Sequence, residues 1–98
     1  MHEHGLAKEL WPQLQQIAAS KGLERVERVE LVVGMLHGVS AEFLEHSFEH
    51  AFEGSCFEGA AVQIQIVEPG QEFTPPGAAG PVAAHGWELL VTRLEGRE

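Results

Sequence analysis

Apolar residues at Leu6, Leu10, Leu14, Ile17 and Ala18 recur at spacings of four, four, three and one, which lays a single stripe along a helix. The pattern predicts a helix from Leu6 to Ala19, with Lys21 suiting the negative end of the dipole and Gly22 just beyond it. Pro12 is the conflict: without a backbone donor it calls for a kink or a late start. From Val26 to Val33 the period changes to two, with Val29, Leu31 and Val33 on one face, the signature of a strand. Gly34 and Gly38 then bracket Met35, Leu36 and His37 as a connection. Ser40 stands as a simple N-cap for a second helix running to about Glu53, with Phe43, Leu44, Phe48, Ala51 and Phe52 on its apolar arc. Val62, Ile64 and Ile66 alternate with Gln63 and Gln65 in a second strand closed by Pro69. Trp87, Leu89 and Val91 alternate in a third.

Between the last two strands, Pro69 to Gly86 carries Pro69, Pro75, Pro76 and Pro81 among glycines and alanines, with almost no periodicity. It reads as a long Pro/Gly/Ala loop, either disordered or folded back over the open sheet edge. Helix two can serve as the crossover that makes the first two strands parallel, with the last strand returning antiparallel. The expected fold is therefore α+β: a small three-stranded mixed sheet with two helices on one face, in the order α-β-α-β-(loop)-β. Its 98 residues suit one domain, 1–98.

Charge narrows the function classes. Fifteen acidic against six basic residues give a formal net charge of −9, a field that repels nucleic acid and anionic lipid. No basic n-region with an apolar core opens the chain, and no apolar run reaches membrane-spanning length, so a cytoplasmic protein is expected. The single cysteine, Cys56, can form neither an internal disulfide nor a thiolate zinc site, and a half-buried packing role is expected for it. No structural zinc is expected. No nucleophile has a visible positioned base, and no Gly-rich phosphate motif is present, so the chain reads as a non-enzyme.

Histidines supply the remaining chemistry. A Met1-His2 start is a chelate, because the free amine, the His2 backbone nitrogen and the His2 imidazole can all reach one ion, a donor set suited to Ni(II) and also to Cu(II). His4 adds a donor beside it. An amine with a pKa near 8 and an imidazole near 6.5 must both lose protons to bind, so affinity should fall on acidification. His46 and His50 lie one helical turn apart, a spacing that either bridges a metal or decorates a solvated face with Glu42, Glu49 and Glu53. His37 lies at the exit of strand one, and His85 is expected to be exposed.

Four segments, taken in order, resemble the HypA/HybF family: M-H-E at the start; V-x-x-V-x-L-x-x-G with its exit; F-E-x-x-x-x-G-S-x-x-E-G-A after helix two; and W-E-L-L-V-x-x-L-E near the end. In that family a zinc-binding insert with two Cys-x-x-C pairs separates the last two strands, and here residues 69–86 occupy that slot. The resemblance implies a nickel metallochaperone for maturation of nickel-iron hydrogenase, with a hydrogenase large-subunit precursor and a HypB-type GTPase as partners. It also implies Met1, His2 and Glu3 as nickel donors, the Glu3 backbone nitrogen included, and places His37 near the site as a further candidate beside His4. An acidic residue that some relatives carry near this region is Ser40 here. The alternative is a metal-free adaptor of the same fold that docks on the precursor or competes with a full-length relative.

Overall fold

The computed structural model describes residues 3–98; the candidate donors Met1 and His2 lie outside the described residues. Helix α1 spans Glu3–Ser20, strand β1 Arg25–Gly34, a 3-10 turn Met35–His37, helix α2 Ala41–Phe52 and strand β2 Ala61–Val67. Two short strands, β3 (Glu72–Phe73) and β4 (Val82–Ala83), precede the last strand, β5 (Leu89–Arg97).

Helix α1 buries Leu6, Ala7, Leu10, Leu14 and Ala18 along the expected stripe. It neither starts late nor breaks at Pro12, which lies inside it. Pro12 is exposed, so its ring and missing donor fall on the solvent side and leave the packed stripe intact. The helix stops where the Leu23 N–H reaches Ala18 O and the Gly22 N–H reaches Ala19 O, both at 3.1 Å, with Gly22 at φ +67°. That pair of bonds is a Schellman closure. Lys21 then donates from Nζ to Leu94 O at 2.9 Å and ties the helix end to β5.

The sheet order is β2-β1-β5, with β1 parallel to β2 and antiparallel to β5. Val29, Leu31 and Val33 of β1 face the helices and form the main core with Leu10, Leu14, Leu44, Phe48, Phe52 and Phe57. Val62, Ile64 and Ile66 pack against it from β2. Within α2 only Leu44, Phe48 and Phe52, at strict i+4 spacing, are buried. Phe43, expected on that arc, is 51% exposed because it sits one position off the line.

Two further expectations change. Trp87 precedes β5 and is 57% exposed, whereas the strand runs to Arg97. The alternation of Trp87 with Leu89 and Val91 thus continues one residue pair beyond the hydrogen-bonded ladder. The 69–86 segment is not a featureless loop: β3 and β4 pair antiparallel through Glu72↔Ala83 and Phe73↔Val82. Val67 and Ala84 join Val32 on the sheet face away from the helices, with Phe73 and Leu90 against them. The ribbon covers part of that face, where residue 32 would otherwise expose an apolar side chain.

At the upper end of the sheet, β1 and the turn before β5 meet backbone to backbone. A Cβ on Gly34 would lie 2.0 Å from Gly86 O, and one on Gly86 would lie 2.8 Å from Leu36 and Pro69 side-chain atoms. Gly86 also holds φ +97°, a conformation open to glycine at little cost. Gly34→Ala should therefore destabilise the fold by about 3 kcal/mol or more, the upper end of overpacking costs because the neighbouring atoms are backbone, measured by urea denaturation at constant m value.

Candidate metal centre

The close approach of Gly34 and Gly86 sets what lies beyond it. The Gly34 N–H donates to Glu88 O at 2.8 Å and the Leu36 N–H to Gly86 O at 2.9 Å. His37, the next residue out, donates from Nε2 to Trp87 O at 3.0 Å, and its ring meets the indole edge to face at 5.4 Å and 90°. The 3-10 turn and the turn before β5 are thus laced together over three successive contacts.

The turn before β5 is itself held by a buried carboxylate. Glu88 is 5% exposed, and its two oxygens accept from the His85 N–H at 2.8 Å and the Gly86 N–H at 2.9 Å. His85 is exposed, as expected, and its Nε2 lies 3.4 Å from the same carboxylate. Its Nδ1 accepts from the Trp87 N–H at 3.1 Å. Burial pushes the Glu88 carboxyl up, but the N–H groups of His85, Glu88 and Gly86, with the charge of His85, outweigh it and hold Glu88 below 4.5. Period-two alternation alone puts Glu88 on the strand face opposite Trp87 and Leu89 and gives no sign of its burial. The available signal was the glycine two residues earlier, which permits a tight turn whose N–H groups converge on one acceptor.

Across from this turn lies the start of α1. Gly5, Leu6 and Glu9 face Leu36, His37 and Trp87 over an open groove of about 530 Å³. Glu3 is 6% exposed, and its Oε2 accepts the Ser40 N–H at 2.9 Å, while Ser40 Oγ accepts the Phe43 N–H at 3.3 Å as the N-cap of α2. The Glu3 carboxylate therefore pins the first turn of α1 to the entry of α2, a location that favours negative charge. The Glu3 carboxylate thus has a structural tie within the described residues.

His4 is exposed on the first turn of α1, and His37 is half-buried at the groove. His46 and His50 do not converge: each is exposed and lies beside the acid three residues on, Glu49 at 3.3 Å and Glu53 at 3.4 Å. Cys56 is half-buried and packs against the main core, lining a separate cleft with Trp11, Leu23 and Phe57. Among the described residues no three His, Cys, Asp or Glu side chains gather closely enough to hold a metal.

Residues 1–72 match the family model described as "Hydrogenase/urease nickel incorporation, metallochaperone, hypA". The chain is 38% identical over 65 residues to the "Hydrogenase maturation factor HypA" of Nitrosospira multiformis and 42% identical over 65 residues to that of Moorella thermoacetica. Those alignments cover 66% of this chain and 56% and 58% of the respective relatives, so the chain spans a little over half of their length. The protein of the same name from Parabacteroides distasonis is 31% identical over 104 residues, covering 100% of this chain and 90% of that relative. The solution structure of the Ni metallochaperone HypA from Helicobacter pylori has the same fold, with a TM-score of 0.66 at 19% identity over 99% of this chain and 98% of that one.

The buried carboxylate carries a pH prediction. A carboxyl held below its ordinary value adds stability that is complete above the unfolded pKa and is lost as pH falls through the folded one. The stability gap between wild type and Glu88→Gln should therefore be wide at neutral pH and narrow on acidification below 4.5. Urea midpoints measured from pH 6 to pH 3 test it; a gap constant across that range would contradict the role of the ionised carboxylate.

Proposed function

The chain belongs to the hydrogenase/urease nickel-incorporation family HypA, a family of metallochaperones and maturation factors rather than enzymes, and from that premise we propose that it carries Ni(II) at its amino end during hydrogenase maturation. The ion is the cargo. Its plane takes four donors from among the Met1 amine, the His2 imidazole and backbone nitrogen, the Glu3 backbone nitrogen and the His37 imidazole, with His4 as a weaker contributor. The observation that carries this reading is the family match over residues 1–72. The pinned first turn of α1, opposite His37 across the groove, supports it.

The chemistry fits the ion. Amine, imidazole and backbone nitrogens form a strong-field set that favours planar Ni(II), and each must be deprotonated where it binds, so uptake and release respond to pH. The Glu3 carboxylate contributes by orienting the turn rather than by taking a metal–oxygen bond. In this reading residues 1–98 act as one nickel-binding domain, with 69–86 standing where relatives carry a zinc module. The partners are a hydrogenase large-subunit precursor and a HypB-type GTPase, in the cytoplasm. Among the described residues no helix is long and apolar enough to cross a membrane.

The single cysteine favours a second reading, because a four-thiolate zinc lobe cannot be built from one thiol. In that case the chain is a metal-free adaptor that docks on the same precursor. Calorimetric titration with Ni(II) of a tagless protein, its first residue verified as Met1 by mass, separates the two. Wild type should bind one equivalent with a planar absorption band, while His2→Ala and a variant extended by one residue before Met1 should lose it. Equal binding by all three would reject the amino-terminal site. Failure of wild type to bind would favour the adaptor.

The proton requirement gives a second expectation. Affinity should decline steadily from pH 8 to pH 6, through the ordinary range of an amine and an imidazole. A pH-independent affinity would point to carboxylate donors instead.

A further inference from the structure

Resting on the reading that His37 is one of the nickel donors, we infer that Glu88 is a positioning residue for His37: its carboxylate holds the turn whose Trp87 carbonyl captures the His37 Nε2–H, leaving Nδ1 as the ring's electron-pair donor. A carbonyl oxygen can only accept a hydrogen bond. At 3.0 Å from Trp87 O, Nε2 must carry the ring hydrogen, and a neutral imidazole then presents a lone pair at Nδ1. Among the described residues Nδ1 has no hydrogen-bond partner. The edge-to-face indole restrains the ring plane as well.

Metal-binding histidines are usually oriented in this way, with the second nitrogen donating to a carbonyl or carboxylate that fixes tautomer and direction. Here the orienting carbonyl belongs to a turn that needs Glu88 to exist. The two carboxylate oxygens satisfy two adjacent N–H groups, one of them on buried Gly86. A Gln side chain has one oxygen and would turn an amide donor toward the other N–H, loosening the turn and with it the Trp87 carbonyl.

The tautomer can be read in the metal-free protein by long-range ¹H–¹⁵N correlation of the His37 ring. Wild type should show the Nε2–H form alone. Glu88→Gln should give a tautomer mixture, and Ni(II) affinity should fall about 10-fold. Trp87→Phe, which keeps the carbonyl, should retain the wild-type tautomer. In a His37→Ala background, Glu88→Gln should cost no further affinity. A wild-type ring protonated at Nδ1, or an unchanged tautomer in Glu88→Gln, would overturn the inference. So would an affinity loss that persists without His37.

Should Glu88→Gln fail to fold, the wild-type tautomer and Glu88→Asp decide. Asp keeps both oxygens one methylene short and should show the mixture in part; a pure Nε2–H form in that variant would count against the coupling. If His37→Ala binds nickel like wild type, His37 is not a donor, yet the metal-free spectra still judge whether Glu88 sets its tautomer.

Discussion

The structure turns on the place where Gly34 and Gly86 bring two backbones together with no room for a side chain between them. A Cβ at Gly34 would overlap Gly86 O at 2.0 Å, so β1 can leave the sheet against the turn before β5 only as glycine. Everything around the candidate site inherits that contact. It sets the bonds of Gly34 to Glu88 and Leu36 to Gly86, and those place His37 against Trp87. Three residues after His37, Ser40 receives both the start of α2 and the carboxylate of Glu3. The amino-terminal turn, the His37 turn and the turn before β5 are therefore one assembly, built at the end of the sheet from three separate parts of the chain.

Two carboxylates do comparable work on either side of it. Glu3 and Glu88 are both buried, and both accept backbone N–H groups that would otherwise be orphaned at a helix entry and in a tight turn. In a chain of net charge −9 most acids face solvent, so these two stand apart by partner rather than by type. Their common effect is rigidity in segments that lack regular hydrogen-bond ladders. A cargo site benefits from such rigidity, because donors already held in place lose less freedom when the ion arrives.

Most of the fold was legible in the residues. The stripe from Leu6 to Ala18, the alternation in β1 and β2, the Ser40 cap and the crossover logic together specify a mixed α+β sheet of the observed order. What escaped was context. Phe43 looks like its neighbour Leu44 in composition, and only the helix phase leaves it exposed. Trp87 and Glu88 continue a period-two pattern beyond the last ladder bond, so alternation extended the strand too early. Phe73 and Val82 are isolated apolar residues among prolines and glycines, and pairing two strands of two residues each leaves too short a pattern to detect. Of the candidate donors, His37 was visible as a residue type, whereas the contacts that orient it come from a turn 50 positions away.

We propose the amino end as the place of the chemistry, and the described residues contribute a pinned first turn, a hydrogen-bonded imidazole and an open groove. The central claim is that backbone nitrogens there become metal ligands. ¹H–¹⁵N spectra of isotopically labelled wild-type protein, recorded before and after one equivalent of Ni(II), test it most directly. Planar Ni(II) is diamagnetic, so the account predicts sharp spectra in which the His2 and Glu3 amide signals vanish by deprotonation and the His37 ring signals shift. Retention of both amide signals, or paramagnetic broadening centred on His46 and His50, would contradict it.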